Sequence, residues 1–219
     1  MKYLKLICCF CLIITGLAGQ EYQSSIGTLR LEDGYTFGRF VGFKRNYGEF
    51  GLFFAPNPLG RWQSFMDVRG LIISNGKWVA NLGTGVRIWD AKNERAWGGN
   101  LYYDYQQARF DPFQRIGLGV ESLGEWWDFR LNGYLLINGE VKKGKLHVYN
   151  FPGSFRETCQ IKERAFRGAD AEFGIYLFRR NNFFFYSGVG PYYYRTPCVE
   201  IWGGHLRLQF NWRDYLVVE

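Results

Sequence analysis

The residues best suited to acid, base or metal chemistry are few in this chain. Histidine occurs only twice, as His147 and His205, which is too few for a histidine-based zinc site. Beyond the N-terminal apolar segment the cysteines are Cys159 and Cys198, and their spacing is not that of a CxxC metal motif. We therefore expect no metal site and no cofactor.

A group of charged residues could imitate an acid–base catalytic set. Glu121, Asp128 and Arg130 lie within a short stretch, but the chain has neither a Gly-x-Ser-x-Gly motif nor a phosphate-binding glycine loop. Opposite charges on neighbouring strands also form salt bridges that brace a wall. We expect that structural role, with Arg115 near Asp128 or Arg130 near Glu121, and we expect no enzymatic activity.

These charges belong to two elements with faces of opposite character. The run from Arg115 to Leu135 predicts two strands joined by a tight turn at Leu123 to Glu125. Apolar residues such as Leu118 and Leu131 alternate with charged residues and glycines, and a period of two assigns each set to one face of a sheet. A soluble sheet turns its apolar face inward, whereas a membrane barrel turns it toward lipid.

Strand length and composition favour the membrane barrel. We count ten full strands between Tyr35 and Phe210 and the start of another at Tyr215; the first is Tyr35–Phe43 with a turn at Lys44–Asn46. Most have the 9–11 residues or more that a tilted strand needs to cross a bilayer. With 20% aromatic residues, many near strand ends, and 28 glycines, the pattern is that of an antiparallel up-and-down transmembrane β-barrel.

The N-terminus predicts export. Residues 1–19 combine an early basic region, an apolar run and small residues at Gly16–Gly19, which is the pattern of a secretory signal peptide. We expect residues 20–34 to lead into a barrel formed by residues 35–219. The net charge of +7 is scattered rather than clustered, so we expect no nucleic-acid partner.

Parity and loop length assign the sides of the barrel. The turns near Pro56–Gly60 and Asp90–Glu94 are expected inside the cell envelope, and the long Asn138–Ala165 segment outside. Cys159 and Cys198 then share the outer end, where a disulfide between them is an open alternative to two free thiols. The polar residues expected to face the lumen are Asn81, Arg87, Asn100, Asp104, Arg115, Glu121, Asp128, Arg130, Asn132, Asp170, Glu172, His205 and Arg207.

Five ordered motifs resemble the β-domain of inverse autotransporters, the intimin/invasin family. They are NLYYDYQ (100–106), RIGLGVESLGEWWDFRLNGYL (115–135), FRGADAEFGIYLF (166–178), GVGPYYY (188–194) and GGHLRLQFNWRDYL (203–216). The resemblance covers roughly residues 35–219. It implies a twelve-stranded outer-membrane barrel that anchors, and helps to export, a C-terminal adhesin-like passenger.

Two departures from the family pattern leave alternatives open. The sequence up to Glu219 contains no passenger, and the strand count falls about two short, so we expect the missing strands to come from additional sequence or the chain to be a fragment. The expected partners are the outer-membrane bilayer, the barrel-assembly machinery and periplasmic chaperones. The alternatives are a passenger-less pore or structural barrel, and a soluble secreted β-barrel that binds an apolar ligand.

Overall fold

The computed structural model describes residues 20–24, 26–36, 46–151, 155–180, 183–212 and 216–218, and every helix or strand in these ranges is a β-strand. The strands are β1 Gln20–Ser24, β2 Gly27–Thr36, β3 Tyr47–Pro56, β4 Trp62–Ile73, β5 Trp78–Asp90, β6 Arg95–Gln106, β7 Phe113–Gly124, β8 Trp127–Leu136, β9 Val141–Phe151, β10 Phe155–Arg164, β11 Arg167–Arg180, β12 Phe183–Thr196, β13 Val199–Trp212 and β14 Leu216–Val218. The expected signal peptide, and Lys44 and Arg45 of the expected turn at 44–46, lie outside the described residues. The described part of the chain contains no helix long and apolar enough to cross a membrane.

Twelve of the strands form one antiparallel sheet. Its order is β1 to β8 followed by β11 to β14, so each strand pairs with its neighbour in the chain except where β9 and β10 intervene. Those two strands form a separate hairpin between β8 and β11. The all-β, up-and-down arrangement predicted from the sequence is confirmed.

The sequence-based count of ten strands was low because β1 was missed and because β9 and β10 were taken as one long connecting segment. β1 and β2 pair with each other, and β2 pairs with β3 along its full length. The predicted start of the first strand, Tyr35–Phe43, is wrong, because Tyr35 lies near the end of a strand that begins at Gly27. Residues 37–43 of that prediction lie outside the described residues. Asp33 and Gly34, which are both uncommon in strands, concealed the alternation of Leu29 and Leu31 with Arg30 and Glu32.

Turn chemistry sets the register of the central hairpins. Gly76 has a positive φ of 79° and donates its N–H to the Ile73 carbonyl at 2.9 Å, so the turn predicted at Ser74–Gly76 is confirmed. The turn predicted at Leu123–Glu125 lies slightly later, because β7 continues to Gly124 and β8 begins at Trp127. The strands from β2 to β8 and from β11 to β13 contain 10 to 14 residues.

The charged hairpin β9–β10 is attached to neighbouring connections. The Glu163 carboxylate accepts a hydrogen bond from the backbone N–H of Arg109 at 2.7 Å and one from Lys77 Nζ at 3.2 Å. Arg109 belongs to the β6–β7 connection and Lys77 to the β4–β5 turn. The hairpin therefore leans over the connections at this end of the sheet.

The sheet has an exposed apolar face and a shielded polar face. Leu118, Leu131 and Phe173 are 54%, 43% and 47% exposed, whereas Asp67 and Asp128 are only 2% and 1% exposed. In most soluble proteins large apolar side chains are buried and charges are exposed. The order is reversed here, and the exposed apolar face extends across most of the sheet.

Glycines on the polar face let large side chains cross a strand. Gly83 lies between Asp67 of β4 and Tyr102 of β6 in the register. The Tyr102 ring lies over Gly83, and its hydroxyl donates to Asp67 Oδ2 at 2.8 Å. A Cβ at Gly83 would lie within about 2.6 Å of the tyrosine ring, so only glycine permits this contact without displacement.

Replacing Gly83 by alanine should destabilise the sheet by about 1–3 kcal/mol. The added methyl group would displace Tyr102 and remove a hydrogen bond from the buried Asp67. The matched control is Gly70→Ala, because a Cβ at Gly70 has no neighbour within 4 Å. The free energy of unfolding in detergent micelles, obtained by urea titration, measures the difference. Equal stability of the two variants would contradict this account of Gly83.

Candidate functional site

The polar face holds all thirteen residues that the sequence singled out. In the register Asn81, Asp104 and Arg115 lie opposite one another on β5, β6 and β7, and cross-strand partners point to the same face. Three longer rows complete the set. These rows are Arg87–Gly98–Glu121–Arg130–Glu172, Asn100–Gly119–Asn132–Asp170 and Asp128–Gly174–Gly188–Arg207, with His205 next to the last of them.

Glu172 is the centre of the largest cluster on this face. The carboxylate is 8% exposed and accepts hydrogen bonds from Arg130 Nη1 at 3.0 Å and Arg207 Nη2 at 2.8 Å. The Tyr186 hydroxyl donates to it at 2.8 Å, and His205 Nε2 lies 3.3 Å away. A single carboxylate on β11 thus connects β8, β12 and β13.

Asp128 extends this cluster toward the β7–β8 turn. Its carboxylate lies 3.0 Å from Arg130 Nη2 and accepts bonds from the Tyr176 hydroxyl at 3.2 Å and the Gly124 N–H at 3.1 Å. Burying a charge is costly unless it is paired and hydrogen-bonded. These three donors satisfy the Asp128 carboxylate, although the residue is only 1% exposed.

Two further ion pairs connect β5, β6 and β7. Arg115 Nε donates to Asp104 Oδ2 at 2.6 Å, and Asn81 Nδ2 donates to Asp104 Oδ1 at 2.5 Å. Arg87 Nε donates to Glu121 Oε1 at 2.6 Å across Gly98. A Cβ at Gly98 would lie 2.8 Å from Glu121 Cγ and 3.2 Å from Arg87 Cγ, so this glycine leaves the space for the pair.

The two specific ion pairs predicted from the sequence are wrong. Arg115 binds Asp104 and not Asp128, because it lies opposite Asp104 on β6, whereas Asp128 lies toward the other end of the hairpin. Arg130 does lie opposite Glu121, but its guanidinium turns to Glu172 and Asp128. Glu121 instead reaches over Gly98 to Arg87.

One cluster on this face was missed by the sequence analysis. Arg69 binds Asp67 at 2.9 Å and lies 3.6 Å from Glu49 and 3.9 Å from Glu32. Tyr102 adds its hydroxyl to Asp67. The parity of β4 contains the signal, since Asp67 and Arg69 alternate with the exposed apolar Met66 and Val68.

The arrangement of these groups suits bracing better than catalysis. Glu172, the carboxylate beside His205, already accepts hydrogen bonds from two guanidinium groups and the Tyr186 hydroxyl, so its oxygens are occupied by structural partners. No set of three or more His, Cys, Asp or Glu side chains in the described residues is arranged to hold a metal ion. The clusters instead connect strands by charge-assisted hydrogen bonds, which are stronger than neutral ones.

The remaining predicted feature is the pair of cysteines. Cys159 lies on β10 opposite His147, and Cys198 lies in the β12–β13 turn. Both are free thiols and exposed, so the structure does not contain the disulfide that the sequence left open.

The aromatic residues near strand ends are divided between the two faces. Trp62, Trp97 and Trp202 are 49%, 54% and 74% exposed on the apolar face. Tyr193 also lies on that face, with its ring 4.4 Å from that of Trp202. The neighbouring Tyr194 points the opposite way and donates its hydroxyl to Asp170 at 3.0 Å.

Replacing Glu172 by glutamine should lower the free energy of unfolding by about 1–3 kcal/mol, because Arg130 and Arg207 would lose their shared counter-charge. The estimate is below that for a fully buried pair because both arginines are about 30% exposed. Glu94→Gln, in the exposed β5–β6 turn, is the matched control and should be nearly neutral. Urea titration in micelles measures the free energy of unfolding of both variants. Equal values for the two variants would contradict the bracing role of Glu172.

Comparison with protein-family models identifies a family for the region that carries the polar and apolar faces. The family model described as "Inverse autotransporter, beta-domain" matches residues 66–179, which run from β4 into β11. A search of curated proteins finds no match. The matched region spans just over half of the chain and includes Asp67, Asp104 and Glu172, the carboxylates at the centres of the polar clusters. The chain therefore belongs to the inverse autotransporter β-domain family.

Proposed function

We propose that this chain forms an outer-membrane β-barrel that anchors, and helps to export, a C-terminal adhesin-like passenger. The observation that carries the proposal is the two-faced sheet, with apolar side chains exposed and charged side chains shielded and paired. Lipid is the solvent in which an exposed apolar face of this extent is stable. Membership of the inverse autotransporter family supports the outer membrane as the location.

Closure of the sheet follows from the need to satisfy backbone hydrogen bonds. An open strand edge in lipid leaves N–H and C=O groups without a partner. The two outer strands are β1 and β14. Because directions alternate along the twelve-stranded order, β1 and β14 run antiparallel and are suited to pair. The proposed barrel closes at these strands.

The polar face becomes the lumen wall of the closed barrel. The thirteen predicted polar residues, together with Asp67 and Arg69, would then line the interior. Ion pairs that span three or more strands would hold the wall against distortion while a polypeptide passes or rests inside. This is a mechanical role, and it requires no catalytic group.

Connection length suggests which end faces outward. At one end the described connections are short, such as residues 91–94 and 125–126. At the other end lie the 107–112 connection and the β9–β10 hairpin. Outer-membrane barrels have short periplasmic turns and longer external loops, so we assign the hairpin to the cell surface. The route to the outer membrane would include removal of residues 1–19 as a signal peptide. Periplasmic chaperones and the barrel-assembly machinery would be the partners on this route.

Replacing Leu131 by arginine should cost about 2–4 kcal/mol if the side chain faces lipid near the bilayer midplane. Leu131 is 43% exposed and lies in the middle of β8. Leu59→Arg is the control, because Leu59 is 82% exposed in the β3–β4 connection. Unfolding in lipid vesicles measures both, and a neutral effect at Leu131 would overturn the assignment of this face to lipid.

Export is tested by fusing a small reporter domain after Glu219 and expressing the fusion in a Gram-negative host. The reporter should become sensitive to protease added to intact cells. Correct insertion is checked independently by heat-modifiable gel migration and by labelling Cys159 and Cys198 with a membrane-impermeant maleimide. A C159S/C198S variant is the labelling control. A barrel that inserts and labels, but leaves the reporter protected inside the cell, would contradict the export role.

A further inference from the structure

A basic recess lies where the β9–β10 hairpin meets the large sheet. It has a volume of about 670 Å³ and is formed by the base of the hairpin, the start of β11 and the β12–β13 turn. Four cationic side chains line it, and Glu140 is the one carboxylate among its lining residues. The cations are Lys143, Lys162, Arg164 and Arg167.

The positive charge of this recess is largely uncompensated. Glu140 binds Arg167 at 3.0 Å, which leaves the other three cations without a carboxylate partner among the described residues. Lys143 and Lys162 are direct cross-strand partners on β9 and β10. Like charges placed directly opposite each other destabilise a hairpin, so this arrangement favours binding of an anion between them.

The recess borders the apolar face of the sheet and not the polar one. Arg167 precedes Ala169 and Phe173 on the same parity of β11, and Arg195 of β12 lies opposite it. One step toward the sheet centre, the Tyr193 ring lies 4.4 Å from the ring of the exposed Trp202, with the two planes tilted by 43°.

Farther toward the centre of the sheet, Phe173, Val189 and Leu206 are about half exposed. From the centre of the sheet toward the hairpin end, this face is therefore apolar, then aromatic, then cationic. A lipid leaflet has the same order, from its acyl chains through the interface to the phosphate groups.

We propose that this recess binds the phosphate groups of an anionic lipid in the leaflet that surrounds the hairpin end of the barrel. The proposal rests on the membrane placement given under the proposed function. Lysine ammonium and arginine guanidinium groups both bind phosphate oxygens well. The acyl chains of the same lipid would lie along Phe173, Val189 and Leu206, so one ligand satisfies both the uncompensated charge and the exposed apolar surface.

The test is a titration of the full chain, folded in detergent micelles, with diphosphoryl lipid A, followed by native mass spectrometry. A K143Q/K162Q variant should bind about 25-fold more weakly, since each basic residue near an anionic leaflet contributes roughly fivefold. The matched control, K92Q/R180Q, removes the same charge from exposed positions at the opposite end of the sheet. It should bind within about twofold of the unaltered chain by the same reasoning.

Three results would overturn the lipid site. Equal weakening in both double variants would show general charge attraction. Equal binding of phosphorylated and dephosphorylated lipid A by the unaltered chain would show that phosphate is not recognised, and this arm needs no variant. Loss of inorganic phosphate binding in K143Q/K162Q with lipid A binding intact would assign the recess to a free anion.

These failures are separable from a failure of the barrel itself. Heat-modifiable migration and recovery in the outer-membrane fraction report the barrel and do not depend on the recess. Lys143 and Lys162 lie in the hairpin outside the twelve-stranded sheet, so their substitution should leave both readouts unchanged.

Discussion

The structure depends on one constraint, which is that most strands of the large sheet place polar and charged residues on one face and apolar residues on the other. Charged side chains that are shielded from water must be paired, and a strand has no partner of its own for them. The ion pairs therefore run between strands. Asp104 with Arg115 and Glu172 with Arg130 and Arg207 are formed only when the strands lie in one register. Because a shift by one residue would turn every such charge to the apolar face, these pairs and the alternation specify the same sheet.

Glycine allows some of these side-chain contacts to reach across an intervening strand. At Gly98 the space beside the backbone is used by Arg87 and Glu121, and at Gly83 it is used by the Tyr102 ring. The 28 glycines of the chain are thus partly explained by packing on the polar face. A side chain that crosses a glycine connects three strands instead of two, which stiffens the wall without filling it with large apolar residues. Such a wall suits a barrel that must hold its shape around a polypeptide.

The exposed apolar face and the hairpin end are the surfaces through which the protein would contact its surroundings. The apolar band is bordered by exposed tryptophans such as Trp62 and Trp202, which are favoured where acyl chains meet headgroups. Beyond Trp202 lie Arg167 and the lysines of the hairpin. These residues extend the membrane-facing side beyond the apolar band, so the proposed lipid site and the proposed anchor depend on one surface. The proposed export role, by contrast, depends on the opposite face and on the proposed closed lumen.

The sequence by itself determined the fold class, the family and the face on which each charged residue lies, because alternation with a period of two is a local property. It placed the thirteen polar residues that it singled out on one face and located the glycine turn at Ser74–Gly76, but it missed the cluster around Asp67 and Arg69. Tertiary structure alone decided the partners: Arg130 lies opposite both Glu121 and Glu172 and binds the second. It also decided that residues before Tyr35 join the sheet. The physical reason is that parity is set within a strand, whereas pairing depends on register, on glycine gaps and on the distance between strands.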